Sequence, residues 1–212
     1  MKRKLPHDKP ILSRKKKANP RKAKRKTLFK ALLPDETDRL LNAIINPRDR
    51  HAVMLCLNTG LRVGELTGLV WKDVWDFSQD CPVETMTIRP EIAKRKKERV
   101  VPLNLKAREA LVGLVKLYGK INPPDSLLTS RKGGGLSARQ FERVIREGAK
   151  TGGISRINVT PHVLRHTFAT NVLKAGCDVM TLKELLGHSD VSTTMIYTHI
   201  DSAQKRRAVD GI

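Results

Sequence analysis

The chain has 212 residues, 42 of them Lys or Arg against 21 Asp or Glu, so its formal net charge is +21, and its 39% hydrophobic residues suffice for one core. Such an excess of positive charge favours a polyanionic partner, above all nucleic acid, with binding that weakens steeply in salt. No apolar run is long enough for a signal peptide or a membrane span, and 4% aromatic residues are too few for a stacking platform on single strands.

The first part of the chain is exceptionally basic. Residues 1–26 contain thirteen Lys or Arg and one acid, Asp8, for a net charge of +12. Because this stretch has few apolar residues, we expect residues 1–27 to be a disordered arm and residues 28–212 to form the folded domain. We interpret the arm as a DNA clamp, with a solubilising tail or a nuclear-import patch as alternatives.

Two helices are predicted at the start of the folded part. Pro34 begins the first, and apolar residues should face the core from Leu40, Leu41, Ile44 and Ile45. The second runs from Arg48 to about Asn58, with Val53, Met54, Leu55 and Leu57 in the core. Gly60 ends it, and the motif Thr-Gly-Leu-Arg62-Val-Gly-Glu65-Leu then places an arginine at the tip between two helices. Taken alone, Arg62 and Glu65 would be a weak surface ion pair.

The middle of the chain predicts a hairpin followed by two helices. Residues 83–88 and 100–103 are rich in β-branched residues and read as strands around a basic turn at 92–99. A helix should run from Lys106 to Tyr118, and residues 127–129 suggest a third short strand. Ser137 caps a helix to about Lys150, one face of which carries Arg139, Arg143 and Arg146. That face either contacts DNA backbone or is an ordinary solvated surface.

Residues 159–199 hold the chemically most informative pattern. Thr160 and Pro161 begin a helix, on which His162 and Arg165 share one face. A second helix, 179–186, stops at Gly187 and leaves His188 at its end, and a third carries Tyr197. Arginine binds phosphate with two donors, histidine moves protons near neutral pH and tyrosine can act as a nucleophile, which together suit phosphoryl transfer. Each residue alone would have an ordinary structural explanation.

No metal site is predicted. Cys56, Cys81 and Cys177 are scattered and odd in number, which is typical of reduced, unpaired thiols, and the histidines do not have metal-ligand spacing.

The ordered motifs resemble the tyrosine recombinase (phage integrase) family. The similarity lies in Thr-Gly-Leu-Arg62-x-x-Glu65-Leu, His162-x-x-Arg165-His-Thr-Phe-Ala-Thr, Leu-Leu-Gly-His188 and Met-Ile-Tyr197-Thr-His, and it covers about residues 32–199. It implies an α+β fold, mainly α-helical with a small antiparallel sheet. It also implies that residues 28–212 are a catalytic domain.

The resemblance further implies a set of site residues. Arg62, His162, Arg165 and His188 would be catalytic, Tyr197 the nucleophile that forms a 3′-phosphotyrosyl link to DNA, and Glu65 a supporting acid. The family places its catalytic lysine in a hairpin before Lys-Glu-Arg-x-Val-Pro-Leu, which aligns Lys94, with Lys96 as the alternative because the usual flanking glycines are absent. Arg95, Lys96 and Lys97 would contact DNA. No cofactor or metal is implied.

The biological setting is open at several points. Most family members carry a helical core-binding domain before the catalytic one, whereas about thirty residues precede the match here, as in the single-domain Fim-type recombinases or in a truncated integrase. A relaxing enzyme of the type IB topoisomerase kind and a non-catalytic DNA-binding protein are further alternatives. The expected partners are double-stranded DNA and other copies of the chain, as dimers or tetramers on DNA, and no membrane. The expected location is the cytoplasm, in association with the nucleoid, for a protein encoded by a bacterium or by a mobile element.

Overall fold

A computed structural model of the chain describes residues 31–130 and 133–188, and within these ranges it contains seven α-helices. Their starts follow local chemistry, since the side chains of Ser137, Thr160 and Asp178 accept hydrogen bonds from backbone N–H groups in the first turns of their helices. The helices are α1 Pro34–Ala43, α2 Pro47–Thr59, α3 Val63–Gly68, α4 Leu105–Tyr118, α5 Ala138–Thr151, α6 Pro161–Lys174 and α7 Val179–Leu186.

Two small antiparallel hairpins lie between α3 and α4. The first pairs β1, Trp75–Asp76, with β2, Cys81–Pro82, and was not predicted. The second pairs β3, Thr85–Ile88, with β4, Arg99–Pro102, so that Ile88 lies opposite Arg99. The basic turn therefore connects β3 and β4 as expected. The predicted fold class, mainly α-helical with a small antiparallel sheet, is confirmed.

Helix α2 lies at the centre of the core and packs against α4 and α6, while α1 packs against α5. The largest buried side chain is Trp71, which meets Trp75 and Tyr118 edge-on with ring centroids about 6 Å apart. A separate apolar cluster joins α6 to α7 through Phe168, Ala169, Leu173, Leu182 and Leu186. This cluster fixes the position of α7, although α7 is only eight residues long.

Two local predictions are wrong. Ile45 is 86% exposed, because α1 ends at Ala43 and the extended backbone of Ile44 breaks the helical period that would have turned Ile45 inward. Residues 127–129 form no strand; Ser126 and Thr129 make single bridges to Val70 and Gly135, while Leu127 and Leu128 are buried. The predicted arm, residues 1–27, lies outside the described residues.

Candidate active site

The junction between α2 and α3 holds Arg62 in place. Gly60 ends α2 in the left-handed conformation, with φ 64°, and a Cβ there would lie 2.3 Å from the ring of Phe168, so the chain turns tightly against α6. Arg62 follows in extended conformation at the start of α3. Its backbone N–H donates to Glu65 Oε2 at 2.8 Å and its Nη1 donates to Glu65 Oε1 at 2.9 Å. Glu65 therefore fixes the position of both the backbone and the guanidinium of Arg62.

Glu65 is a buried carboxylate, 1% exposed, that binds a second guanidinium. Arg99 at the start of β4 donates from Nη1 to Oε1 at 2.8 Å and from Nη2 to Oε2 at 2.6 Å. Burial by itself raises the pKa of Glu65, but the hydrogen bonds and charge of Arg99, together with the hydrogen bonds from Arg62, outweigh it and hold the pKa below its ordinary value. Glu65 is thus ionised at neutral pH and links α3 to β4.

Helix α6 supplies a buried arginine and an exposed histidine. Arg165 is only 5% exposed, and its guanidinium donates from Nη1 to Gly60 O at 2.7 Å and from Nη2 to Leu186 O. These bonds join α6 to the ends of α2 and α7. His162, one turn earlier on the same face, is exposed.

The end of α7 positions His188. Gly187 is left-handed, with φ 62° and ψ 46°, and the backbone N–H of His188 donates to Lys183 O at 3.0 Å. Burial lowers the pKa of His188 to about 4, aided by the charges of Arg165 and Arg62. The ring is therefore neutral near pH 7, with one nitrogen that donates a hydrogen bond and one that accepts.

The basic turn between β3 and β4 brings Lys94 to the same place. Residues Lys94–Lys96 form one 3₁₀ turn, in which Lys96 is left-handed with φ 52°. Lys94 and Arg62 line two adjoining clefts, of about 290 and 740 Å³. The smaller cleft also contains His162 and Arg165, and the larger one contains His188.

Five of the six side chains predicted to be catalytic are therefore gathered here: Arg62, Lys94, His162, Arg165 and His188. Tyr197 lies outside the described residues. Lys97 lines the larger cleft and Lys96 lines neither, while of Arg95 only the backbone is described.

The arginines predicted on α5 lie elsewhere. Arg139, Arg143 and Arg146 are all exposed and line neither of the two clefts. Within the described part of the chain, Arg143 makes one long ion pair, 3.9 Å, with exposed Glu147, which holds it weakly.

One functional candidate was missed from the sequence, namely Arg99. It lies within a basic run, so its charge gave no distinguishing signal, and its partner Glu65 is 34 residues away. The available signal was its place in the Lys-Glu-Arg-x-Val-Pro-Leu motif, which served only to align the catalytic lysine.

The arrangement leads to comparison with known proteins. The family model described as "Phage integrase family" matches residues 30–204. The chain belongs to the phage integrase family. A relative of this integrase-family chain, tyrosine recombinase XerC from Thermodesulfovibrio yellowstonii, is 37% identical over 161 residues, which cover 73% of this chain and 50% of the relative.

Solved structures of integrase-family members agree. The crystal structure of XerA recombinase has a TM-score of 0.69 and 34% identity, covering 85% of this chain and 64% of that one. XerH site-specific recombinase bound to its difH substrate in a pre-cleavage complex has a TM-score of 0.65 and 25% identity, covering 85% and 53%. This chain spans about half the length of the curated relatives it matches.

Residues 31–130 and 133–188 of this family member contain no group of three or more His, Cys, Asp or Glu side chains placed to bind a metal ion, and none of the helices in these ranges is long and apolar enough to cross a bilayer. Cys56, Cys81 and Cys177 are free thiols, and Cys56 is buried.

Proposed function

We propose that this chain is the catalytic part of a site-specific DNA recombinase, which cuts and rejoins double-stranded DNA through a 3′-phosphotyrosyl intermediate. The observation that carries the proposal is the convergence of five basic or imidazole side chains on two clefts that share Arg62 and Lys94. The similarity to XerC, and to XerH solved with its difH substrate, supports DNA as the target.

The two arginines are suited to bind the scissile phosphate. Arg165 is fixed by backbone carbonyls and Arg62 by Glu65, so each guanidinium is held before substrate arrives. Preorganised donors stabilise the charge that grows on the non-bridging oxygens in the transition state without having to reorganise. Neutral His188 would donate one further hydrogen bond to the same phosphate.

Tyr197 is the proposed nucleophile. A tyrosine hydroxyl with a reference pKa of about 10 is almost wholly protonated at pH 7, so attack requires positive charge nearby and an acceptor for the proton. The new bond joins Tyr197 Oη to phosphorus, and the bond from phosphorus to the 5′ oxygen breaks. Exposed His162 is suited to accept or relay the phenolic proton.

Lys94 is the proposed general acid. Its ammonium proton would pass to the departing 5′ oxygen, which becomes a hydroxyl. Lys94 is preferred to Lys96 because Lys94 lines both clefts beside Arg62 and Lys96 lines neither. The reverse reaction, attack by a 5′ hydroxyl on the phosphotyrosine, rejoins the DNA without ATP because the phosphodiester energy is kept in the covalent bond.

The DNA surface of the proposed enzyme extends beyond the clefts. Arg95, Lys96 and Lys97 continue from Lys94 along the turn, and Arg139, Arg143 and Arg146 form a second basic face on α5. With the basic arm, these side chains would bind phosphates without regard to sequence, and the affinity should fall steeply with salt. Recombination joins two sites, so we also propose self-association on DNA, within the nucleoid.

The chain offers a clean test, because it has only two tyrosines, Tyr118 and Tyr197. On a nicked suicide duplex, from which the cleaved strand diffuses away, the wild type should form a denaturation-resistant adduct and Tyr197→Phe should bind DNA but form none. Tyr118 packs partly buried against the core, and its Oη accepts a hydrogen bond from Thr129 N–H at 3.2 Å, so Tyr118→Phe is the matched control and should keep the adduct. An adduct that persists in Tyr197→Phe would refute the assignment of the nucleophile, and a wild type that forms none would refute the proposed function.

A further inference from the structure

The last two carbonyls of α7 and the carbonyl of its C-cap residue each accept a hydrogen bond from a different arginine. Such carbonyls have no partner within a helix and carry its partial negative charge, so guanidinium groups are favourable there. The arginines come from three elements: Arg99 of β4 donates to Leu185 O, Arg165 of α6 to Leu186 O, and Arg62 at the start of α3 to Gly187 O. His188 is the next residue, so these bonds determine where its backbone lies.

Arg99 is more deeply held than Arg62. Its side chain is 8% exposed, against 20% for Arg62, and each of its three nitrogens already donates a hydrogen bond within the protein. Nε donates to Leu185 O at 3.0 Å, and both Nη atoms donate to Glu65. Although Arg99 lines the larger cleft, all three of its nitrogens are directed at Glu65 and at the end of α7, so its bonds join parts of the protein to one another.

The aliphatic part of Arg99 also packs on the turn before His188. A Cβ on Gly187 would lie 2.9 Å from Arg99 Cδ and 3.3 Å from Nε, so the side chain lies directly against the backbone of that turn. Arg99 begins β4 five residues after Lys94, and thereby also anchors the returning end of the basic turn.

We propose that Arg99 is a positioning residue of the active site: it joins β4, Glu65 and the end of α7, and so holds His188 and Lys94 in place relative to Arg62. The inference rests on the proposed function for its effect on catalysis, whereas the placement of His188 can be measured without it. Arg99 acts through other residues and does not touch DNA.

A purely structural role for this ion pair is the alternative, and the pair of Arg156 with Glu36 serves as a comparison, although the Arg156 side chain is 43% exposed against 8% for Arg99. Arg156 donates from Nε to Glu36 Oε1 at 3.0 Å, from Nη2 to Glu36 Oε2 at 2.6 Å and from Nη2 to Ala31 O at 2.7 Å. The Glu36 side chain is 4% exposed, so Arg156 also binds a buried carboxylate and one carbonyl. This pair ties α1 to the segment before α6 and involves neither cleft.

The first experiment measures single-turnover adduct formation on the nicked suicide duplex at saturating protein, with DNA affinity measured separately. Arg99→Met should slow adduct formation by about 10- to 100-fold, the range expected when a reacting group is misplaced or loses its support, while DNA affinity changes by less than about 2-fold. Arg99→Lys keeps the positive charge but loses the planar guanidinium with its paired donors, so its rate of adduct formation should lie between those of the wild type and Arg99→Met. Arg156→Met should react at the wild-type rate.

Folding is checked by circular dichroism, and Arg99→Lys remains informative if Arg99→Met unfolds. Wild-type rates in both Arg99 variants, or an equal slowing by Arg156→Met, would overturn the positioning role.

The second experiment does not need catalysis. In protein with ¹³C-labelled histidine, the imidazole resonance of His188 is identified by its loss in His188→Gln. Arg99→Met should shift that resonance and Arg156→Met should leave it unchanged. An unchanged resonance in Arg99→Met would overturn the proposal even if adduct formation were slow. If the wild type formed no adduct, the proposed function would be refuted, but the histidine resonances would still decide whether Arg99 positions His188.

Discussion

Gly187→Ala is a sensitive probe of the turn that carries His188. Gly187 is left-handed with φ 62°, and the new methyl group would lie 2.9 Å from Arg99 Cδ, 3.3 Å from Nε and 3.4 Å from Nη1. Arg99 cannot yield easily, because three hydrogen bonds hold its guanidinium. We therefore expect both backbone strain and crowding at one position.

The expected cost follows from these two terms. A left-handed residue other than glycine costs roughly 1–2 kcal/mol, and overpacking against a fixed neighbour costs about 1–3 kcal/mol. Gly187→Ala should therefore lower the free energy of unfolding by about 2–5 kcal/mol, measured by urea denaturation with linear extrapolation.

Gly153→Ala supplies the matched comparison for Gly187→Ala. Gly153 has almost the same φ, 65°, but a Cβ there would meet only Arg39 Nη1, at an ordinary 3.7 Å. Its substitution should cost the strain alone, about 1–2 kcal/mol. Equal losses in the two variants would show that close packing between Gly187 and Arg99 is not what the turn depends on.

Two further predictions concern stability. Lowering the pH from about 6.5 to 4 should destabilise the protein, because burial, then Arg165 and Arg62, hold the pKa of His188 at about 4, and the unfolded chain binds a proton that the folded chain does not. The full loss of unfolding free energy from this pKa difference is about 3 kcal/mol, and water access to the half-buried ring reduces it to about 1–2 kcal/mol. The unfolding free energy, measured in urea across this pH range, should change less with pH in His188→Gln than in the wild type. The same pH dependence in both proteins would contradict the assignment to His188. Thr167→Val should cost about 1–3 kcal/mol in urea unfolding, because it leaves the buried N–H of Leu32 without Thr167 Oγ1, its acceptor at 2.9 Å. Thr170→Val should be neutral or stabilising, since the buried Oγ1 of Thr170 has no hydrogen-bond partner among the described residues, and similar losses in both variants would refute this account.

Local signals predicted the helices well. The hydroxyls of Ser137 and Thr160 cap α5 and α6 as expected, and Gly187 ends α7 in the left-handed conformation. These features depend on neighbours within a few residues, which spacing in the sequence describes directly. The loss of period after Ala43, which exposes Ile45, depends on where the chain must turn to reach α2, and periodicity does not contain that information.

The candidate site was only partly predictable. Motifs identified Arg62, Arg165 and His188, but not that carbonyls of distant segments bind both guanidiniums. Arg165 was expected to face a ligand from a helix surface, whereas it is 5% exposed and its bonds to Gly60 and Leu186 join three helices. Contacts across more than 100 residues, such as that between Arg165 and Gly60, arise from tertiary packing.

The anchoring of the chain ahead of α1 has a practical consequence for shortened versions of the protein. Leu32 N–H donates to Thr167 on α6, the helix that carries His162 and Arg165, and Ala31 O accepts from Arg156. A fragment that begins at Pro34 would lack both hydrogen bonds, so the Thr167 hydroxyl and the Arg156 guanidinium would each lose one partner. Deletions meant to remove the basic arm should therefore stop before Ala31, so that any loss of the proposed DNA cleavage reports on the arm and not on a loosened α6.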